Sequence, residues 1–372
     1  MSKTVNAFAL PEEAPSLRSL DADLADCREA LRGGSRSFFL ASFLLPPAFR
    51  ESASALYAFC READDVIDTN PDPAAGLASL HTRLDVIYGR GTPGRASDRA
   101  LAAVVEAHGL PRSLLDALLE GFAWDAEGRR YDTLSDVFAY AARVAGSVGV
   151  MMAVLMGMRD PLVLARACDL GVAMQLSNIA RDVGEDARAG RLYLPRDWLR
   201  EAGVDVSGFL AAPQPAEAIA DIVRRLLAEA DVLYRRADSG IAKLPVGCRP
   251  GIYAARLLYA EIGAEVARRG CDGVSSRAVV SPVRKMKLLM RVQGTLMLST
   301  EHLQAPVLEE TRFLVDAGAA APRTPATAKS LTGGPIRRAG RRLVWVLELF
   351  EELDRRERLR ALAGAGGEES LA

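Results

Sequence analysis

Apolar residues recur at spacings of three and four along most of the chain. Ala53, Leu56, Tyr57, Cys60, Ala63 and Ile67 fall on one face of a helix. Pro46-Pro47 stands where that helix begins, because its first turn needs no backbone donor. The same period predicts helices over 113–124, 134–156, 162–186, 217–244, 251–269 and 282–299. Gly190 and Pro195 punctuate the end of the helix over 162–186. No series of alternating strands and no internal repeat is present, so the pattern predicts an all-α fold.

One helical body is expected over 21–310, after an N-terminal segment 1–20. Residues 311–335, rich in Ala, Gly, Pro and Thr, read as a linker. Residues 336–372 read as an amphipathic helix and tail, with Arg337, Arg338, Arg341 and Arg342 ahead of Leu343, Val344, Trp345 and Leu347. Such a helix suits docking on the body, or on an anionic membrane surface. Its acids Glu348, Glu351, Glu352 and Asp354 weigh against the membrane.

Composition narrows the function classes. At 372 residues the chain buries a sizeable core without disulfides or a structural metal. A formal charge of −1 leaves no footprint for nucleic acid, so no nucleic-acid partner is expected. The five cysteines are odd in number and scattered, as for buried free thiols in a reducing compartment. No signal-peptide pattern is visible, and no stretch approaches the roughly 20 apolar residues of a bilayer span. A cytoplasmic protein is expected, with peripheral contact at the inner face of the cell membrane left open. The three histidines lie away from the aspartates, which gives zinc sites and histidine triads little support.

The candidate chemistry lies in two acidic runs. In Asp64-Asp65-Val66-Ile67-Asp68, Asp64 and Asp68 are four apart and share a helix face. Two carboxylates so placed repel unless a cation lies between them, and hard divalent cations take oxygen ligands and bridge to phosphate. A wet helix end is the plain alternative for this run alone. The second run ends in Asp182-Val183-Gly184-Glu185-Asp186, and Gln175, Asn178, Asp182 and Asp186 fall at steps of three, four and four. That is one stripe of oxygen-bearing side chains on a helix whose Val172, Leu176 and Ile179 suggest burial. Two such helices together point to metal and phosphate.

Arg61, Arg181, Arg188 and Arg191 lie near these carboxylates, and guanidinium forks match diphosphate oxygens. Ser35-Arg36-Ser37-Phe38 offers two hydroxyls and a charge, or simply starts a helix. In Val144-Ala145-Gly146-Ser147-Val148-Gly149, the small residues leave a groove for another helix or for a long apolar ligand.

The chain resembles the squalene/phytoene synthase family over about residues 22 to 300. The resemblance rests on Ser35-Arg36-Ser37-Phe38, the stretch from Tyr57 to Asp68, Tyr140 with the run Val144 to Gly149, and the stretch from Gln175 to Pro195. Within the family it is most similar to the bacterial phytoene synthases. The resemblance implies an isoprenoid-synthase fold around a central cavity. It implies that Asp64, Asp68, Asn178, Asp182 and Asp186 hold a metal–diphosphate cluster, and that these aspartates and Tyr140 form the catalytic set. Ser35, Arg36, Ser37, Tyr57, Arg61, Gln175, Arg181, Arg191 and Tyr193 match diphosphate-contacting positions. Arg36 stands where relatives often have lysine, which changes its reach. Tyr259 and Arg277 match a weaker downstream pattern. Phe38, Val144, Ala145, Gly146, Val148 and Gly149 would line the isoprenoid groove.

The implied reaction is condensation of two geranylgeranyl diphosphates to phytoene in carotenoid biosynthesis. Mg2+ is the implied metal, with Mn2+ as substitute, and no NADPH is expected for phytoene. Two isoprenoid diphosphates are the expected partners, with contacts to other carotenoid-pathway enzymes left open. Squalene or dehydrosqualene formation from two farnesyl diphosphates uses the same motifs and is the first rival. A non-catalytic assembly protein on the same fold is the second, and complete aspartate motifs argue against it.

Overall fold

The computed structural model describes residues 19–324. The expected N-terminal segment, save its last two residues, lies outside the described residues, as do residues 325–335 and the expected amphipathic helix and tail 336–372. Fifteen α-helices and no strand occur among the described residues. In chain order they are α1 (Leu20–Gly34), α2 (Arg36–Ser42), α3 (Pro47–Thr69), α4 (Pro73–Asp85) and α5 (Ala96–His108). Next come α6 (Arg112–Ala126), α7 (Leu134–Ala141), α8 (Ser147–Leu155), α9 (Pro161–Arg188) and α10 (Arg196–Glu201). The chain continues through α11 (Val206–Ala211), α12 (Glu217–Ile241), α13 (Arg249–Arg268), α14 (Pro282–Met290) and α15 (Arg312–Ala319).

Local chemistry sets the boundaries. Ser19, Ser35, Asp72, Thr133, Asp160, Asp205 and Ser281 each accept a backbone N–H at a helix start. Pro47, Pro73, Pro161 and Pro282 occupy first turns, as the sequence predicts for Pro47. The helix expected over 134–156 is real but not uniform. A π-turn, Ala142–Gly146, joins α7 to α8, starting two residues after Tyr140. The helix expected over 282–299 tightens into a 3-10 turn, Arg291–Met297.

Helix α9 is the central element. Ala165, Cys168, Val172, Ala173, Leu176 and Ala180 are fully buried along it. Two helical stretches, Leu134–Leu155 and Pro161–Arg188, are long and apolar enough to cross a bilayer by length and composition. That departs from the sequence reading, which found no such stretch. Much of each is buried against the protein's own helices, 72% in the second, as in core helices.

The chain between 311 and 324 corrects the expected linker. Leu314 and Val315 of α15 are buried in the main core. A Cβ at Gly318 would stand 2.6 Å from Val150 Cγ1, so the glycine there permits close packing. Small residues that read as linker composition serve as a helix–helix contact. Beyond α15, the buried Arg159 guanidinium donates to the carbonyls of Ala321 and Pro322 at 2.9 and 3.0 Å, which fixes the chain to the body.

Candidate active site

A cavity of about 340 Å3 runs between α2, α3, α8, α9, α12 and α13. Its wall is mostly apolar, including Leu45, Ala53, Leu56, Val148, Met152, Met156, Leu170, Ile241 and Leu244. Tyr57, Gln175, Asn178 and Tyr259 supply polar atoms. Of the expected groove residues, Phe38, Val144, Ala145, Val148 and Gly149 line it. Gly146 does not; it is buried against Val172 and Leu314. Gly149 also serves packing. A Cβ there would lie 2.3 Å from the Ala167 carbonyl oxygen, and one at Gly171 equally close to that of Ala145. α8 and α9 touch through the small-residue run, and the apolar cavity follows the seam.

The two acidic runs sit on helices that border this cavity. Asp64, Asp65 and Asp68 occupy the last turns of α3, and Asp182, Glu185 and Asp186 the last turns of α9. Both sets thus lie at the negative ends of helix dipoles, where acids are unfavourable and cations welcome. Burial, with Asp68 nearby, pushes Asp64 up to about 6. Burial, with Asp182 nearby, pushes Asp186 up to about 7. The chain concentrates carboxylates where its own field resists them, which fits a cation-binding role.

Arginines ring these acids. Arg61 pairs with Asp65 at 2.7 Å and with Asp64 at 3.4 Å. Arg181 grips Asp182 with two N–H donors, at 2.7 and 2.5 Å. Arg277 reaches Asp182 at 3.0 Å and Glu185 at 3.6 Å. Arg191 donates to Asp68 at 2.8 Å. Asn178 donates to Gln175 at 3.4 Å, so these two stripe residues face one another. Arg188 serves otherwise: it donates to the Val274 carbonyl and holds the loop that carries Arg277.

The local fold explains these placements. Gly190 has φ of 74°, and its N–H and that of Arg191 return to the carbonyls of Ala187 and Asp186. This glycine-closed helix end turns the chain back, so that Arg191 leaves directly beside Asp186. Gly184 and Gly273 bring the 271–281 loop onto α9: a Cβ at Gly184 would sit 2.3 Å from Val274 O, and one at Gly273 equally close to Ala180 O. Glycine between the two aspartates is thus what lets Arg277 reach Asp182.

Aromatic groups flank the acids. Phe38 stacks on Tyr259 at 5.0 Å and meets Tyr57 edge-on at 6.4 Å. Ser35 caps α2 by accepting the Phe38 N–H. The helix-start reading of that cluster is therefore correct for Ser35. The expectations for Arg36 and Ser37 rest on side chains outside the described set. Sequence reasoning missed Asp125. Its carboxylate accepts the hydroxyls of Tyr140 and Tyr193 at 2.8 and 2.7 Å, and the two rings stack at 5.0 Å. Burial holds Asp125 above the usual carboxylate range despite both hydroxyls, and its charge raises Asp64 and Asp186. The one available signal was an acid beside Phe122 and Trp124 on an apolar helix.

Among the described residues, no three His, Cys, Asp or Glu side chains converge to hold an ion by themselves. Magnesium is seldom caged by protein alone; it takes one or two carboxylates plus substrate phosphates and water. Paired aspartates on two helices fit that mode.

An all-helical body around an apolar cavity, with acidic helix ends and arginines at its polar end, defines an isoprenoid-synthase fold. The squalene/phytoene synthase profile matches residues 31–284, and the chain belongs to that family. It is 54% identical over 307 residues to a phytoene synthase of Rhodobacter capsulatus, covering 80% of this chain and 91% of that protein. To one of Cereibacter sphaeroides it is 51% identical over 315 residues, covering 81% and 89%. A crystal structure of a dehydrosqualene synthase superposes with a TM-score of 0.69 at 32% identity, covering 75% of this chain and 98% of that one. A squalene synthase from Alicyclobacillus acidocaldarius shares the fold, with a TM-score of 0.63 at 24% identity, covering 68% and 95%.

Proposed function

We propose that this prenyltransferase joins two geranylgeranyl diphosphates head to head, through prephytoene diphosphate, to give phytoene. The carrying observation is the apolar cavity bordered by two helices whose acidic ends are ringed by arginines. The relatives at 54% and 51% identity, both phytoene synthases, support this product. The dehydrosqualene synthase structure favours a second reading, condensation of two farnesyl diphosphates. Both use the same chemistry and differ in the length of chain the cavity admits.

Prenyl diphosphate-condensing enzymes of this kind depend on divalent metal. Asp64, Asp68, Asn178, Asp182 and Asp186 would hold magnesium, with manganese as substitute. Bound there, the metal would neutralise diphosphate charge and promote its departure. Arg61, Arg181, Arg191 and Arg277 would exchange their carboxylate partners for diphosphate oxygens and stabilise the leaving group. The first C–O bond breaks to release diphosphate and leave an allylic cation; a double bond of the second substrate attacks it, and loss of a proton closes the cyclopropyl intermediate. A second ionisation, rearrangement and proton loss complete the product. The apolar wall keeps water from quenching each cation.

Asp182→Asn keeps the size of the side chain and removes its charge. Turnover is expected to fall by orders of magnitude while circular dichroism and melting temperature stay near those of the parent. Near-normal turnover contradicts the assignment.

A further inference from the structure

Residues 273–300 contain five basic side chains, Arg277, Arg284, Lys285, Lys287 and Arg291, and no acid, in a chain whose formal charge is −1. The same stretch holds four of the eight large hydrophobic side chains most exposed among the described residues: Val279, Val283, Met290 and Met297. The charge and the exposed apolar surface therefore coincide. Val283, Lys287 and Met290 fall at steps of four and three, one outward stripe of α14. Arg284 is held by Glu261, whereas Lys287 and Arg291 are exposed and form no ion pair among the described residues.

The inner side of α14 is packed. Leu288, Leu289 and Val292 join Leu40 and Ala41 of α2 and Ala254 and Ala255 of α13 in one apolar cluster. Ala41 and Ala255 also line the cavity. A single layer of helices thus separates the exposed face from the space assigned to the isoprenoid chains. The face also adjoins the polar end of the site, since Val279 follows two residues after Arg277, the partner of Asp182.

We propose that α14 and the 3-10 turn after it lie on an anionic bilayer surface, with Val279, Val283, Met290 and Met297 entering the headgroup–acyl boundary. Lys287 and Arg291 would face lipid phosphates. Cations interleaved with apolar side chains and free of acids match an anionic lipid interface. A bilayer also suits substrates and a product that are mostly hydrocarbon. The proposal uses the functional reading only in that the ligands carry long apolar chains, and its binding measurement needs no substrate.

The full chain is sedimented with vesicles of phosphatidylcholine alone or mixed with phosphatidylglycerol, at low and high salt. The parent protein is expected to bind the anionic vesicles, and salt to weaken binding. Lys287→Gln with Arg291→Gln is expected to reduce partitioning roughly thirtyfold, from the loss of two surface-facing cations. Val283→Ser, Met290→Ser and Met297→Ser together are expected to reduce it by about tenfold or more. Turnover on detergent-dispersed substrate should stay at the parent level in both variants, since neither touches the site. Variants that bind anionic vesicles as tightly as the parent would place binding elsewhere and overturn the proposal. So would a parent protein that ignores these vesicles, which would leave an acidic protein as the partner of this face.

Discussion

Arg191 donates to Asp68 at 2.8 Å, joining the turn after α9 to the end of α3. This contact spans the two acidic helices, and both partners are more than a third exposed, at 38% and 45%. An exposed pair of this kind adds little to stability, typically below about 1 kcal/mol. In the proposed reaction its value would lie in holding a cation where diphosphate arrives.

Arg191→Ala is therefore expected to leave the melting temperature within a degree or so of the parent, while kcat/KM falls about 100-fold or more, the usual effect of removing one donor to a developing anion. Steady-state kinetics beside thermal melting checks this. A large loss of stability with unchanged kcat/KM would make Arg191 a structural residue instead.

Asp125 anchors the tyrosine pair. Asp125→Ala leaves the hydroxyls of Tyr140 and Tyr193 without their acceptor and is expected to destabilise the fold by about 2 kcal/mol. Asp125→Asn keeps an acceptor and should recover most of that. Denaturant unfolding of the three proteins distinguishes the outcomes; equal stability of all three would mean that the carboxylate does not hold the pair.

Asp186 and Asp64 give the metal-free protein a pH signature. Burial raises both above the range of an unfolded carboxyl, Asp186 to about 7 and Asp64 to about 6. Above about pH 4 the unfolded chain has released these protons and the folded protein retains them. Their stabilisation is thus fully present below about pH 4 and is lost as pH rises through 6 to 7. Asp186→Asn is expected to flatten this loss and raise stability at pH 8 by on the order of 2 kcal/mol, while abolishing turnover. Unfolding in the presence of chelator across that range tests it, and a variant less stable than its parent at pH 8 contradicts it.

Close backbone contact makes Gly149 irreplaceable. A methyl group 2.3 Å from the Ala167 carbonyl would force α8 and α9 apart, with an expected loss of about 1–3 kcal/mol for Gly149→Ala. Gly33, with no neighbour within 4 Å of an added Cβ, is the control of opposite sign. Gly33→Ala should gain about 0.5–1 kcal/mol through helix propensity. Melting temperatures that move alike in both variants would refute the contact argument.

Much of this was legible in the sequence because it repeats at helical spacing. The stripe of Gln175, Asn178, Asp182 and Asp186 and the pair Asp64 and Asp68 are periodic, so residue numbers alone place each set on one face. What escaped depends on distance in space. Asp125 gains meaning only through Tyr140 and Tyr193, 15 and 68 residues away. Arg166 and Asp169 carry no periodic signal in the sequence, yet the pair is sealed in the core and Arg166 holds the carbonyls of His302, Leu303 and Ala305. Helix α15 reads as linker in the sequence because small residues mark both loose chain and tight packing, and only the contact of Gly318 with Val150 separates the two.

The most direct test of the account is the hydrocarbon itself. Purified protein is incubated with magnesium and either geranylgeranyl or farnesyl diphosphate, with and without NADPH, and the extract is identified by mass spectrometry. Phytoene is expected from geranylgeranyl diphosphate, independent of NADPH and abolished by chelator. Squalene or dehydrosqualene as the main product, or no hydrocarbon from either substrate, would contradict it.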